Sequence, residues 1–264
     1  MGGESETILG KWFAQSGKRN KVVLATKLGM DMGESMGVAR QGLRPEYIRQ
    51  AVDASLQRLQ TDRIDLYQSH KDDPDTPLAE TLGAFAELIT AGKVRAIGAS
   101  NYTADRLRAA LEMAMTQGLP RYESLQPEYS LMERGDYENK LEPVVQEFGI
   151  GCVPYFSLAG GFLTGKYRTA ADVEGKARGK YVGKYANEHG FAVIKVLDEV
   201  AKEVGGNPAQ VALAWLAAQP SITAPIASAT SLEQLEDLIR SVELKLPASA
   251  IEKLDAVSQP AVTA

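Results

Sequence analysis

Short apolar runs rich in β-branched residues alternate with longer stretches of helical period along the whole chain, and this alternation leaves few folds open. Strand-like runs fall at residues 22–26, 64–68, 94–99, 124–127, 152–156 and 222–227. Between them, Ile48, Ala51, Val52, Leu56 and Leu59 recur at the spacing of one helical face behind Pro45, where a first-turn proline belongs. A second helix runs from Pro77 with Leu78, Leu82, Phe85, Leu88 and Ile89 inward, and Gly92 closes it as a C-terminal glycine does. Further helices are predicted over 104–117, 139–148, 191–203, 208–218 behind an Asn207 cap, and 231–241. A long Gly- and Lys-rich loop spans 159–183, and long loops in compact domains are usually functional.

Strand and helix alternating at about 30-residue spacing predict a parallel sheet with helices outside it. The two candidate architectures are a closed (β/α)8 barrel and a doubly wound open sheet. No strand is followed by a Gly-x-Gly-x-x-Gly turn, which weakens the open sheet. Polar residues cluster at the C-terminal ends of successive strands: Thr26-Lys27, Ser69-His70, Ser100-Asn101, Gln126 and Tyr155. Barrel active sites are built there, although isolated strand ends are often merely polar turns. The barrel is therefore the expected α/β fold, a single domain over residues 1–264. Six βα units are visible, so roughly the first two are expected to be absent, worth roughly 60 residues at the usual size of a unit.

Composition narrows the function. With 29 basic and 34 acidic residues the formal charge is −5, a surface expected to repel nucleic acid and anionic lipid. Cys152 is the single cysteine, which excludes an intrachain disulfide framework and reads as a buried, inert thiol. No apolar run approaches the ~18 residues of a membrane span. The N-terminus lacks the basic and apolar regions of a signal peptide, and Glu6 stands where a myristoylation signal has Ser or Thr, so the cytoplasm is expected. His70 and His189 are the only histidines, and with Cys152 they make no metal site. His189 reads as inert, and Asp72, Asp73 and Asp75 as a solvated turn beside Pro74.

Several segments carry a resemblance. Ala-Thr-Lys (25–27), Asp-Leu-Tyr-Gln-Ser-His (65–70), Gly-Lys-Val-Arg-Ala-Ile-Gly-Ala-Ser-Asn (92–101), Leu-Gln-Pro-Glu-Tyr-Ser (125–130), Leu-Thr-Gly-Lys-Tyr (163–167) and Glu-Gln-Leu-Glu-Asp-Leu (233–238) stand in this order. Together they resemble the aldo-keto reductases, over essentially the whole chain. The resemblance implies a nicotinamide-dependent oxidoreductase that reduces aldehydes or ketones to alcohols with NADPH, NADH being possible. It implies a catalytic tetrad of Asp, Tyr, Lys and His, in which Lys27 and His70 match the lysine and the histidine. Hydride goes to the carbonyl carbon, and a tyrosine whose phenolate is favoured by the nearby ammonium serves as general acid.

The family's aspartate and tyrosine lie just before a segment like Gly2–Glu6, with which this sequence opens. The chain is thus expected to be N-terminally truncated and to lack two of the four groups. A misplaced start, a fragment and a degenerate protein are the possible origins, and the otherwise intact positions favour the first. Tyr47, in a predicted helix, and Tyr67, within a strand, are not natural substitutes.

The resemblance also implies a cofactor site. Ser100, Asn101 and Gln126 hold the nicotinamide carboxamide, and Tyr155 stacks on the ring. Phe156, Ser157 and Leu158 replace a usual Ser-Pro-Leu, so the pyrophosphate contact shifts to Ser157 or to backbone groups. Lys166 matches a phosphate-clamping lysine, and the basic loop beyond it, with Arg168, Lys176, Arg178, Lys180 and Lys184, reads as a flap over the dinucleotide. Ser228, Thr230, Gln234 and Asp237 match adenosine contacts. Many members carry Lys or Arg at the first and third of these, to pair a 2′-phosphate, so NADP preference is weakened here. Met30, Met32 and Met36 of the 29–42 loop read as a soft substrate wall. The competing reading is a nucleotide-binding or regulatory barrel that has lost catalysis. The partner expected is a small carbonyl compound, with no nucleic acid or membrane, and the oligomeric state is unreadable.

Overall fold

The computed structural model describes residues 3–30, 42–176 and 178–259 and divides the α/β chain into two compact units, residues 1–126 and 127–264. Met32 and Met36 of the expected substrate wall lie outside the described residues.

In the first unit, strands β1 (Ala25–Leu28), β2 (Ile64–Ser69), β3 (Val94–Ser100) and β4 (Tyr122–Gln126) lie side by side, all parallel. Helices α2 (Pro45–Leu59), α3 (Leu78–Thr90) and α4 (Ala104–Gln117) make the crossovers. They bury the apolar stripes read from the sequence: Ile48, Val52 and Leu59 on α2, and Leu78, Leu82, Phe85 and Leu88 on α3. Phe85 stands edge-on to Tyr67 of β2 and Tyr122 of β4, with ring centroids 6.1 and 6.4 Å away. One sheet face is thereby fixed as the helix-packed face.

The first strand differs from expectation. Residues 22–26 were read as a strand because valines favour one, yet Val23 is 83% exposed and Arg19–Lys21 form a helical turn. The ladder starts only where the Leu24 carbonyl accepts the Asp65 and Leu66 amides. An unread helix, α1 (Glu4–Ser16), packs on α2 at Gly10, where a Cβ would come within 2.2 Å of the Arg58 carbonyl oxygen.

The second unit is mainly helical. A π-helical turn, Tyr137–Leu141, leads into α5 (Glu142–Phe148), and β5 is only Gly151–Cys152. The run expected over 152–156 stops early because Pro154 offers no amide, and a single bridge joins Glu128 to Tyr155. The strand expected over 222–227 does not form among the described residues. Cys152 donates its amide to the Thr223 hydroxyl, not to a backbone carbonyl, and Pro225 has no amide to give. Thr223 and Ile226 still donate to the carbonyls of Cys152 and Pro154.

The 159–183 loop is not structureless. It contains the turns Ala159–Thr164 and Ala170–Val173, the latter closed by a Thr169–Asp172 capping box, and a short helix α6 (Gly179–Val182). Beyond it, α7 (Glu188–Val204) starts earlier than predicted because Asn187 accepts the Gly190 amide. Helices α8 (Pro208–Ala217), α9 (Leu232–Arg240) and α10 (Ala248–Val257) complete the unit. Asn207 and Gln210 form the capping box of α8, and Ser231 caps α9. No helix among the described residues is long and apolar enough to cross a membrane.

Candidate active site

Strand alternation puts every second residue on one sheet face, and in the first unit the face opposite the helices carries polar side chains at the C-terminal ends of the strands. Register aligns Lys27 of β1 with Gln68 of β2, Gln68 with Gly98 of β3, and Gly98 with Ser124 of β4. One step further along β3 and β4, Ser100 pairs with Gln126. The register between β3 and β4 slips at Ile97/Gly98, so that Ile97 opposes Tyr122 while Gly98 opposes Ser124. This bulge carries β4 from a helix-packed Tyr122 to Ser124 and Gln126 on the polar face, as bulges near sites commonly do.

Lys27 and His70 are both half-buried. Burial holds the Lys27 ammonium below its ordinary pKa. Burial, and then the Lys27 charge, lower the His70 pKa, which favours the neutral imidazole. His70 is positioned by its own amide, which donates to the Leu28 carbonyl at 2.8 Å, and by Asn101, whose Nδ2 donates to the His70 carbonyl at 2.8 Å. Asn101 takes a left-handed conformation, φ 54°, and its Nδ2 also reaches Ser100 Oγ at 3.2 Å. Ser100 Oγ donates to the Gln126 carbonyl at 2.8 Å. Lys27, His70, Ser100, Asn101 and Gln126 are thus joined through adjacent strand ends.

Thr26 points elsewhere, its hydroxyl donating to Glu6 of α1, which also receives Arg58. The acidic turn after His70 corrects its solvated reading. Arg106 pairs with Asp72 through two nitrogens, and Asp73 accepts from the Leu43 amide and the Thr76 hydroxyl. Burial opposes ionisation of Asp73, but these donors outweigh it and hold the carboxyl below its usual range.

Sequence reasoning missed Gln68. It is 1% exposed, and its Oε1 accepts from Gln126 Nε2 at 3.3 Å. Its signal was there: a carboxamide inside an apolar strand, two residues before His70 and so on the same side.

In the second unit, Tyr155 is half-buried and Phe156 exposed, with Phe156 at φ 54°. Phe156 packs on both Tyr155 and Tyr181, at 5.1 and 4.7 Å. Ser157 is buried, and its hydroxyl donates to the Ile226 carbonyl at 2.8 Å, so the side chain ties the loop inward; Leu158 is half-buried beside it. Gly160 and Gly161 have φ of 67° and 101°, and a Cβ on Gly161 would meet Lys166 Nζ at 3.2 Å. Lys166 is exposed, lies 5.0 Å from the Tyr167 ring centre and makes no ion pair among the described residues.

The basic loop is partly self-neutralised. Arg168 pairs with Asp198, Lys184 with Glu133, and Arg178 donates to the Gly160 carbonyl. Ser228, Thr230 and Gln234 are exposed at the start of α9, where Gln234 Oε1 accepts from the Thr230 amide and hydroxyl. Asp237 instead faces Gln210, whose Nε2 reaches it at 3.3 Å. Cys152 is buried, which pushes its thiol up to about 12. It takes no part in this arrangement.

A family model described as "Aldo/keto reductase family" matches residues 2–259. Among known proteins, the chain is 37% identical to the "Uncharacterized oxidoreductase YrpG" of Bacillus subtilis, over 96% of this chain and 77% of that one. It is 34% identical to "Protein tas" of Escherichia coli, over 97% of this chain and 80% of that one. It is 32% identical to the "Aldo-keto reductase yakc [NADP(+)]" of Schizosaccharomyces pombe, over 96% and 74%. Because the match runs through the chain, it gives no support to the expectation of an N-terminally truncated member.

Proposed function

Because this chain belongs to the aldo/keto reductase family, we propose that it is an oxidoreductase that reduces aldehyde or ketone groups of small molecules to alcohols with NADPH, NADH being the weaker candidate. Its parallel strands would belong to the (β/α)8 barrel of that family, and the cytoplasm is its proposed place. The observation that carries this reading is the polar face of the first unit, where Lys27, His70, Ser100 and Gln126 stand on neighbouring strand ends. Two buried polar atoms on that face, Gln68 Nε2 and Ser124 Oγ, have no partner among the described residues. Buried polar groups of this kind are ordinarily paired with protein, water or a ligand.

Residues within each unit suit a part of the cofactor. Ser100, Asn101 and Gln126 offer hydroxyl and carboxamide groups suited to a nicotinamide carboxamide, and Tyr155 offers a ring face. Lys166, Gly160 and Gly161 form a cationic, Cβ-free segment suited to the pyrophosphate, with Phe156, Ser157 and Leu158 shaping the loop before it. Ser228, Thr230 and Gln234 would meet the adenosine, and Asp237 would act through α8. None of these four brings a cation to a 2′-phosphate, so the margin of NADPH over NADH is expected to be small.

Bound NADPH would supply the hydride. His70, held neutral, keeps one N–H to donate to the substrate oxygen and align the carbonyl. Lys27 would place positive charge beside that oxygen as negative charge develops on it. The reading by resemblance assigns Lys27 and His70 to the tetrad and leaves its aspartate and tyrosine unassigned. Tyr67 does not replace the latter, since its ring packs on Phe85 at the opposite face and burial raises its hydroxyl far beyond working pH. The second reading is a nucleotide-binding regulatory protein without turnover, and the burial of Tyr67 away from the polar face is the observation on its side.

A fluorescence titration with NADPH and then NADH, followed by absorbance assays with a panel of aldehydes, separates the readings. Nucleotide binding with carbonyl-dependent oxidation of NADPH is the expected result. Binding without turnover selects the regulatory protein, and a folded chain that binds neither nucleotide overturns both.

A further inference from the structure

Gln68 and Gln126 belong to strands that are not neighbours. β3 lies between β2 and β4, yet the two carboxamides are joined by a hydrogen bond of 3.3 Å. The route passes over Gly98, which is in register with Gln68 on one side and Ser124 on the other. A Cβ at Gly98 would stand 3.1 Å from Gln68 Cγ and 2.5 Å from Ser124 Oγ. Any larger residue there would block the side chain from crossing β3. The bulge beside Gly98 then turns Gln126 onto the face that Gln68 reaches. Three features of different kinds, a glycine, a bulge and a buried carboxamide, serve one contact.

We propose that Gln68 is a positioning residue for nicotinamide binding, fixing the orientation of the Gln126 carboxamide from across β3. The proposal rests on the functional reading above and extends it to a residue to which that reading assigns no role. An unrestrained glutamine amide can present either its oxygen or its nitrogen, and a ligand carboxamide distinguishes the two. With Gln126 Nε2 turned to Gln68 Oε1, the Gln126 oxygen is directed away from Gln68 as the acceptor for a ligand N–H. Gln68 is 1% exposed and leaves its own Nε2 without a partner among the described residues. For stability alone, an apolar side chain of the same volume would serve at least as well.

The test is a double-variant cycle read by calorimetric titration with two ligands, NADPH and the phosphorylated ADP-ribose that lacks only the nicotinamide. Gln68→Met keeps the volume and removes the acceptor. It is expected to weaken NADPH by roughly tenfold, about the worth of one buried hydrogen bond, and to leave the ligand without nicotinamide unchanged. Gln126→Met is expected to weaken NADPH similarly, and Gln68→Met added to it to do nothing further. Gly98→Ala, which closes the route, should reproduce the Gln68→Met pattern. Equal weakening of both ligands, additive losses in the double variant, or no loss in Gln68→Met would each overturn the proposal while leaving the functional reading standing. A wild-type chain that binds the ligand without nicotinamide but gains nothing from NADPH overturns the proposal too, and one that binds neither overturns both.

Discussion

Burial and a neighbouring cation act in the same direction on His70, and both favour the neutral ring. A histidine whose pKa is lowered in the folded state binds fewer protons there than in the unfolded chain. Its contribution to stability is therefore fully present above the unfolded value of about 6.5 and is lost as pH falls through the folded one. In an NMR pH titration of the imidazole, with His189→Gln removing the other histidine, the His70 midpoint is expected below 6.5. Lys27→Met should raise it while leaving it below 6.5, because burial is the larger cause and stays. A midpoint indifferent to Lys27→Met would mean the two side chains are not neighbours. At this scale the sequence was informative about strand ends, since a polar residue following an apolar run is visible in one dimension. The joint role of Gln68 and Gly98 was not legible, because it depends on three strands in register, and Ser157 was read as a pyrophosphate contact although its hydroxyl turns to a carbonyl 69 residues away.

Elements with local signals were found, and elements whose ends depend on distant partners were misplaced. Pro45, Gly92 and Asn207 marked helix boundaries through their own backbone chemistry. Val22 and Val23 misled because strand propensity is fulfilled only where a neighbouring strand pairs. The β4 bulge was invisible because Tyr122, Ser124 and Gln126 alternate as if on one face. Helix α1 shows what close packing adds to propensity. A glycine in mid-helix costs about 1 kcal/mol relative to alanine, so Gly10→Ala in isolation would stabilise. In the fold, the added methyl would stand 2.2 Å from the Arg58 carbonyl oxygen, which is backbone and yields only if α1 shifts on α2. Overpacking of this kind costs about 1–3 kcal/mol. Gly10→Ala is therefore expected to lower stability by about 1 kcal/mol net in urea denaturation, and an increase in the midpoint would show that α1 is not held closely on α2.

Over the whole molecule, hydrophobic period revealed where apolar stripes lie but not what covers them. Most stripes are buried as expected, those of α2, α3 and α7 among them. Helix α9 is the exception: none of its residues is buried, and Leu232, Leu235 and Ile239, with Val242 just beyond, stand exposed at the spacing of one face. Val242 is 86% and Leu232 78% exposed, an arrangement that a water-soluble surface usually avoids. A polar contact, Gln210 to Asp237, ties α9 to α8, and Ser231 caps its first turn. If this stripe meets water, exchanging it for charge removes no packing. Leu235→Glu with Ile239→Lys is then expected to shift unfolding free energy by no more than about 0.5 kcal/mol, the ordinary range for surface substitutions, and to reduce binding of an apolar fluorescent dye to the native protein. A loss of several kcal/mol would mean that the stripe is packed in solution, and that α9 is held by apolar contact as its period alone would have suggested.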